Sequence, residues 1–182
     1  RRRAFLAAGD LAPLEVLIPA LGSHPVCVIG SAPIEGVLRW TPGTALVTVN
    51  GAISTIPTHV PAVHILNARV GPHVTWNSDR RMLHAAMIAQ SAHRHVETLA
   101  LLPVSEEGCE AATLERLRAQ GTTWDRVVSI SKATKVLVAH SVGALDKERD
   151  RHLGVSAGLF GVIVALWAGA SSIQTEGFSF DA

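Results

Sequence analysis

Five short apolar runs, and a more polar sixth segment late in the sequence, set the pattern of this chain. Val, Ile, Leu and Ala fill most of their positions, without the strict alternation expected of a strand with one exposed face. Such runs are typical of strands buried on both faces of a parallel sheet. The six predicted strands are Pro25–Gly30, Ala45–Asn50, Ala62–Leu66, Val96–Leu102, Arg126–Ile130 and Ser172–Thr175.

Helical periodicity separates several of these runs. It predicts helices over Asp79–Ser91, Glu106–Gln120 and Ser156–Ala168. Strands that alternate with helices indicate βαβ units, so we expect an α/β fold: a Rossmann-like, doubly wound, mostly parallel sheet with helices on both faces. No internal repeat or linker divides the chain. We therefore expect one domain over residues 1–182, with residues 1–22 as an N-terminal helical extension.

One apolar segment raises the question of a membrane span. Leu153–Ala170 carries no charged residue and is 18 residues long, the lower limit for a helix that crosses a bilayer. Its four glycines and the charged segment before it favour a helix buried inside the protein instead. We expect peripheral membrane association at most, through the basic run Arg1–Arg3, which is otherwise a solvated terminus.

Composition narrows the classes of partner. The chain has 16 basic and 15 acidic residues, a net charge of +1, so it lacks the broad positive surface of a nucleic-acid-binding protein. Its two cysteines fit no metal or redox spacing, which predicts a reducing, cytoplasmic setting. Nine histidines form no metal motif, so no metal site is expected. The sequence permits a homo-oligomer but does not predict one.

Small and polar residues follow the predicted strands, where ligands of doubly wound sheets bind. Gly30–Pro33 leaves the first strand and is expected to open a helix whose free N–H groups receive a phosphate. Asn50-Gly51 ends the second strand, and Asn67 follows the third. An Asn amide there is suited to a ribose or a base. Neither a Walker A loop nor a G-x-G-x-x-G motif is present.

Gly154–Gly158 matches G-x-S-x-G, the nucleophile elbow of α/β-hydrolases. That Ser must follow a strand, whereas a charged segment precedes Ser156, and no His follows His152. Ser156 and Ala157 fit better as the start of the apolar helix, where their N–H groups would hold an oxygen-rich ligand group. His140 and His152 are candidate general acids or bases by sequence order alone.

These strand ends together resemble the bacterial lipooligosaccharide-type sialyltransferases and a related Rossmann-like group that includes an archaeal-type hydroxymethylpterin pyrophosphokinase. In that family the first strand ends in Gly-Asn-Gly-Pro-Ser and the third in Asn-Pro-Gly, where this chain has Gly30–Ile34 and Asn67–Arg69. The family's Thr-Ser-Gly, small-residue helix and final Gly-x-Asp-Phe-Tyr are similar to Ser156–Gly158, Ala165–Ala170 and Gly177–Phe180. The likeness spans Pro25 to Asp181 and is weakest in the middle.

The resemblance implies a glycosyltransferase that uses a CMP-activated sugar, sialic acid or a Kdo-like sugar, and a glycan acceptor. It implies no cofactor beyond this donor and no metal. The family's first-loop Asn is Ser31 here, and its general base, a His beyond the last strand, has no counterpart before Ala182. We therefore expect that the base is absent, has moved, or is lost with a missing C-terminal segment. The implied nucleotide-binding residues are Gly30, Ser31, Ala32, Pro33, Asn50, Gly51, Asn67, Ser156, Ala157, Gly158 and Gly177.

Two other functions fit the same pattern. A non-catalytic relative would keep the fold and bind a nucleotide without transferring a sugar. A phosphotransferase would need carboxylates at the strand ends to hold Mg²⁺. Only Glu106-Glu107, Glu176 and Asp181 are available for that role. The catalytic residues are unknown under all three interpretations.

Overall fold

The computed structural model describes residues 10–34, 37–56, 59–68, 78–103, 109–144 and 155–178, with the backbone alone for 78–83. It contains the six predicted strands, shifted by a few residues at their ends. They are β1 Pro25–Ile29, β2 Ala45–Val49, β3 Val63–Ala68, β4 His95–Pro103, β5 Thr123–Ser129 and β6 Ser172–Glu176. All pair in parallel, in the order β5-β4-β3-β2-β1-β6.

Six α-helices accompany the sheet in the described ranges. They are α1 Ala12–Glu15, α2 Ile18–Leu21, α3 Ser78–Gln90, α4 Cys109–Ala119, α5 Lys132–Ser141 and α6 Ala157–Ala168, and a 3-10 helix spans Asn50–Thr55. The three predicted helices correspond to α3, α4 and α6. Residues 1–9 of the predicted N-terminal extension lie outside the described ranges, and α1 and α2 form the rest of it.

Alternate residues of the strands pack on opposite faces of the sheet. On β4, Ala100 and Leu102 join a core cluster with α1, α2, α5 and α6, whereas Leu99 and Leu101 join a cluster with α3 and α4. Right-handed crossovers between parallel strands produce such an arrangement, because a reversal in the direction of stepping moves the connecting helices to the other face. Here α3 and α4 connect strands that step outward from β1, whereas α5 and α6 belong to the return from β5 to β6. The predicted doubly wound α/β fold is confirmed.

The strand order reverses between β1 and β6. The chain steps from β1 out to β5, then returns to place β6 on the other side of β1. Crossovers on either side of such a switch leave on opposite faces, which opens a crevice at the carboxyl ends of the strands.

The apolar segment Leu153–Ala170 contains the 12-residue helix α6, seven of whose residues are buried in the protein. No helix in the described ranges has both the length and the apolar character to cross a bilayer. Burial against the sheet accounts for the hydrophobicity of α6.

One predicted element is wrong. The described residues between β1 and β2, 30–34 and 37–44, contain no helix, so Gly30–Pro33 does not open one.

Asn67 is also misplaced by the prediction: it lies inside β3, because pairing with β4 continues to Ala68. Part of the family-like sequence lies outside the described ranges: Arg69, Ser105 to Glu107, His152 and residues 179–181.

Candidate functional site

A cavity of about 370 Å³ opens at the carboxyl edge of the sheet, at the switch between β1 and β6. Nine of the eleven predicted residues line it: Gly30, Ser31, Ala32, Asn50, Asn67, Ser156, Ala157, Gly158 and Gly177. Val49, Lys135, Val155 and Phe178 complete the described lining. Residues far apart in sequence thus meet in one place, as the strand-end argument predicts.

The remaining two predicted residues do not line the cavity. Pro33 is exposed in the chain that follows β1. Gly51 is buried in the first turn of the 3-10 helix, beside the side chain of Gln90 on α3 rather than in the cavity.

The loop after β1 is joined to the end of β6. The Gly30 N–H donates to the Glu176 carbonyl at 2.8 Å, and the Ala32 N–H donates to the Gly177 carbonyl at 2.9 Å. A Cβ at Gly30 would lie 2.4 Å from the Gly177 carbonyl oxygen, and Gly177 has a φ of +64° that favours glycine. The predicted anion-receiving role of this loop is therefore wrong for these two N–H groups, which connect the strands.

Two asparagines form a fixed pair on the cavity wall. Asn50 Oδ1 accepts hydrogen bonds from the Asn67 backbone N–H, at 3.1 Å, and from Asn67 Nδ2, at 3.2 Å. Because a backbone N–H can only donate, both amide orientations are determined. The pair has Asn50 Nδ2 as a donor and Asn67 Oδ1 as an acceptor, and no other hydrogen bond between described residues uses either atom.

Asn50 takes a left-handed backbone conformation to reach this position, with a φ of +51°. Asn tolerates that conformation better than most residues with a side chain. His84, which is 2% exposed, also holds Asn67 in place, because its Nε2 donates a hydrogen bond to the Asn67 carbonyl at 2.7 Å. The pair is thus held before any ligand arrives.

The amino end of α6 forms the opposite wall. Ser156 is the N-cap: its Oγ accepts from the Leu159 N–H at 3.2 Å, and its carbonyl accepts from the Phe160 N–H at 2.9 Å. The N–H groups of Ala157 and Gly158 have no hydrogen-bond partner among the described residues. Both residues line the cavity, so this helix start can receive an anion there.

Lys135 contributes a charge that sequence reasoning missed. It lies on α5, lines the cavity, and donates from Nζ to the Val155 carbonyl at 2.8 Å. It is the one charged side chain in the described lining. Ser131 and Lys132 directly follow the predicted fifth strand, yet Ser131 caps α5 and Lys132 is exposed outside the lining. The sequence did contain one signal for Lys135: it follows Lys132 by nearly one helical turn, which would place the two lysines close together on a helix.

A buried cluster of Ser91, His64 and Thr48 lies where β2, β3 and the end of α3 meet, and it is structural. His64 is fully buried, with Nδ1 2.9 Å from Thr48 Oγ1 and Nε2 3.4 Å from Ser91 Oγ. Burial lowers the pKa of His64 to about 4, a hydrogen bond to Thr48 opposes this shift, and the charge of Arg94 adds to it. A neutral imidazole sealed from solvent cannot serve a substrate in the cavity.

Other candidate catalytic groups do not reach the site either. His140 lies near the end of α5 and does not line the cavity. Cys27 and Cys109 are buried, and burial raises the pKa of Cys27 to about 11, assisted by the charge of Glu176. Within the described ranges, no three His, Cys, Asp or Glu residues are grouped to hold a metal ion.

Comparison of the chain with family models, with curated proteins and with solved structures gives no match in any of the three. The sialyltransferase-like resemblance therefore stays a prediction that depends on the strand-end residues.

Proposed function

We propose that this protein binds a nucleotide in the cavity at the switch between β1 and β6, and that it transfers sugar from a CMP-activated donor. One observation carries the binding proposal: Lys135, with its ammonium, lines the same cavity as Ala157 and Gly158, whose N–H groups have no hydrogen-bond partner among the described residues. Both features attract an anion, and the described lining contains no carboxylate to repel one.

The rest of the lining suits a nucleoside. The donor on Asn50 and the acceptor on Asn67 together match the hydroxyl groups of a ribose or the edge of a base. A volume of about 370 Å³ falls at the small end of the range for ligand pockets, which favours a compact ligand such as a nucleoside monophosphate.

Sugar transfer depends on the resemblance rather than on the cavity itself. The described lining offers no His or carboxylate as a general base. This observation favours a second candidate function, a relative that binds the nucleotide without transferring sugar. A phosphotransferase has less support, because no carboxylate that could hold Mg²⁺ is among the described lining residues.

Thermal unfolding with CMP, CDP, UDP, ADP and GDP, each with and without Mg²⁺, tests the binding proposal. We expect CMP to raise the melting temperature without Mg²⁺, by about 5 to 10 °C at a hundredfold excess over its Kd. No shift with any nucleotide would contradict the proposal. A shift only with diphosphates and Mg²⁺ would favour a phosphotransferase.

Ser156→Asp tests the position of the site. Asp is also a good N-cap, so α6 should remain folded while the carboxylate repels the phosphate and removes the CMP shift. Ser172→Asp is the matched control, since it adds the same charge to an exposed residue at the opposite end of the sheet. An undiminished CMP shift in Ser156→Asp would place the ligand elsewhere.

Assays of CMP release from CMP-activated sialic acid and Kdo, with glycan acceptors, separate transfer from binding. Acceptor-dependent CMP release supports the glycosyltransferase. CMP binding without release supports the non-catalytic relative.

A further inference from the structure

The ammonium of Lys135 is held in a defined place rather than extended into solvent. Its Nζ donates to the Val155 carbonyl at 2.8 Å and lies 6.0 Å from the centroid of the Phe160 ring. Phe160 is fully buried in α6, and Lys135 itself is half-buried. A cation over an aromatic face is attracted to it, so both contacts restrict the side chain.

This placement brings two sources of positive potential to one wall. Val155 immediately precedes Ser156, the N-cap of α6. The carbonyl that receives the lysine hydrogen bond is thus adjacent to the helix start, whose first residues line the cavity. The hydrogen bond goes to a neutral carbonyl, and the partial positive charge of the helix start lies on the same wall as the ammonium.

We propose that Lys135 is the residue that recognises the charge of the ligand: its ammonium binds the phosphate of a nucleoside monophosphate, whose other oxygens accept from the start of α6. This inference rests on the proposed function, because the ligand class comes from it. Charge-assisted hydrogen bonds are stronger than neutral ones, and more so in a partly dehydrated cavity. Lys135 therefore makes the cavity selective for the phosphorylated nucleoside over the nucleoside.

Calorimetric titration of the full chain with CMP, cytidine and inorganic phosphate tests this role. In Lys135→Met we expect CMP and phosphate to bind about 10- to 100-fold more weakly, and cytidine to bind as in the unmodified protein. Lys135→Arg should retain most of the CMP affinity. Lys132→Met, on the same helix but outside the cavity lining, is the matched control and should not change CMP binding.

Three results would overturn the inference. Equal weakening of CMP and cytidine in Lys135→Met would mean that the lysine only positions the chain at Val155. Unchanged CMP affinity would mean that it does not touch the phosphate. If the unmodified protein binds no CMP, the proposed function fails, and the titration with inorganic phosphate decides the role of Lys135. Phosphate binding that is weaker in Lys135→Met supports the inference. Phosphate binding that is unchanged in Lys135→Met, or no phosphate binding in the unmodified protein, overturns it.

Should Lys135→Met fail to fold, the salt dependence of the unmodified protein gives the answer. Raising NaCl from about 0.05 to about 0.5 M screens a contact between an ammonium and a phosphate. CMP affinity should then fall while cytidine affinity stays constant. The same salt dependence for both ligands would overturn the inference.

Discussion

At the scale of single residues, His64 shows how strongly burial controls ionisation in this protein. Its ring has no exposed surface and contacts Thr48 and Ser91, both fully buried. A neutral imidazole satisfies these hydroxyl groups, whereas a protonated one would place a charge in the interior, near the Arg94 guanidinium. The interior around His64 is therefore sensitive to acid.

The lowered pKa of His64 predicts a loss of stability in mild acid. In the unfolded chain the imidazole takes up a proton near its ordinary pKa of 6.5, but in the folded protein it does so only near pH 4. The stabilising contribution is therefore complete above pH 6.5 and is lost as the pH falls to 4, at a cost of about 3 kcal/mol.

Urea unfolding at intervals from pH 7 to pH 4 measures this loss. His64→Gln has an amide that does not titrate, so its free energy of unfolding should fall by about 3 kcal/mol less over the same range. Equal pH dependence in the two proteins would show that His64 is already protonated, or exposed, in the folded state.

At the scale of elements, the seam between β1 and β6 determines the shape of the site. The two strands pair along their length, and two further hydrogen bonds join the loop after β1 to Glu176 and Gly177. Gly30 is required at this point, because there is no room for a Cβ beside the Gly177 carbonyl. A side chain at Gly30 must therefore separate the strands or displace the loop.

Gly30→Ala should destabilise the protein by about 1 to 3 kcal/mol through overpacking, and should weaken CMP binding by shifting the cavity wall. Thermal unfolding and CMP titration measure the two effects. Ser31→Ala, at the exposed neighbouring position, is the control for the stability measurement, and its free energy of unfolding should stay within about 0.5 kcal/mol of that of the unmodified protein. Normal stability in Gly30→Ala would show that the seam can open without cost.

The seam also explains what the sequence could and could not predict. Apolar runs and turn residues were enough to find the six strands. The local signal is clearest for β1 to β4, which are mostly buried, whereas β5 and β6 are largely exposed. The small residues after β1 suggested a helix start, but their N–H groups pair with β6, some 145 residues later in the sequence. Partners at that separation leave no local pattern. The contact from Lys135 to Val155, 20 residues apart, was not foreseen either, because it is a tertiary contact between separate elements.

At the scale of the whole molecule, the strand order divides the sheet into a rigid centre and two edges. β3 has a neighbour on each side and is almost fully buried, whereas β6 pairs only with β1 and is largely exposed. Opening of an edge strand breaks fewer contacts than opening of a central one. The cavity thus has one wall from the central strands β2 and β3, and a wall that we expect to open more easily from Gly177 and Phe178, which follow β6.

Hydrogen exchange tests this division. Amides of Val63–Ala68 should exchange at least about 10-fold more slowly than those of Ser172–Glu176 in the absence of ligand. CMP should slow exchange in β6, which leads directly into the lining residues Gly177 and Phe178, but not in β5, the other edge strand, which has no lining residue beside its end. Equal slowing of both edges would contradict a ligand site at the β1–β6 seam.

The distance along the chain between Gly30 and Gly177 has a consequence for synthesis. Ribosomes add about 5 to 20 residues per second, so roughly 7 to 30 s separate the appearance of these two walls of the cavity. During that interval β1 has no partner on its β6 side, and the cavity lacks one wall. We therefore expect the proposed ligand to bind only after the last strand has docked.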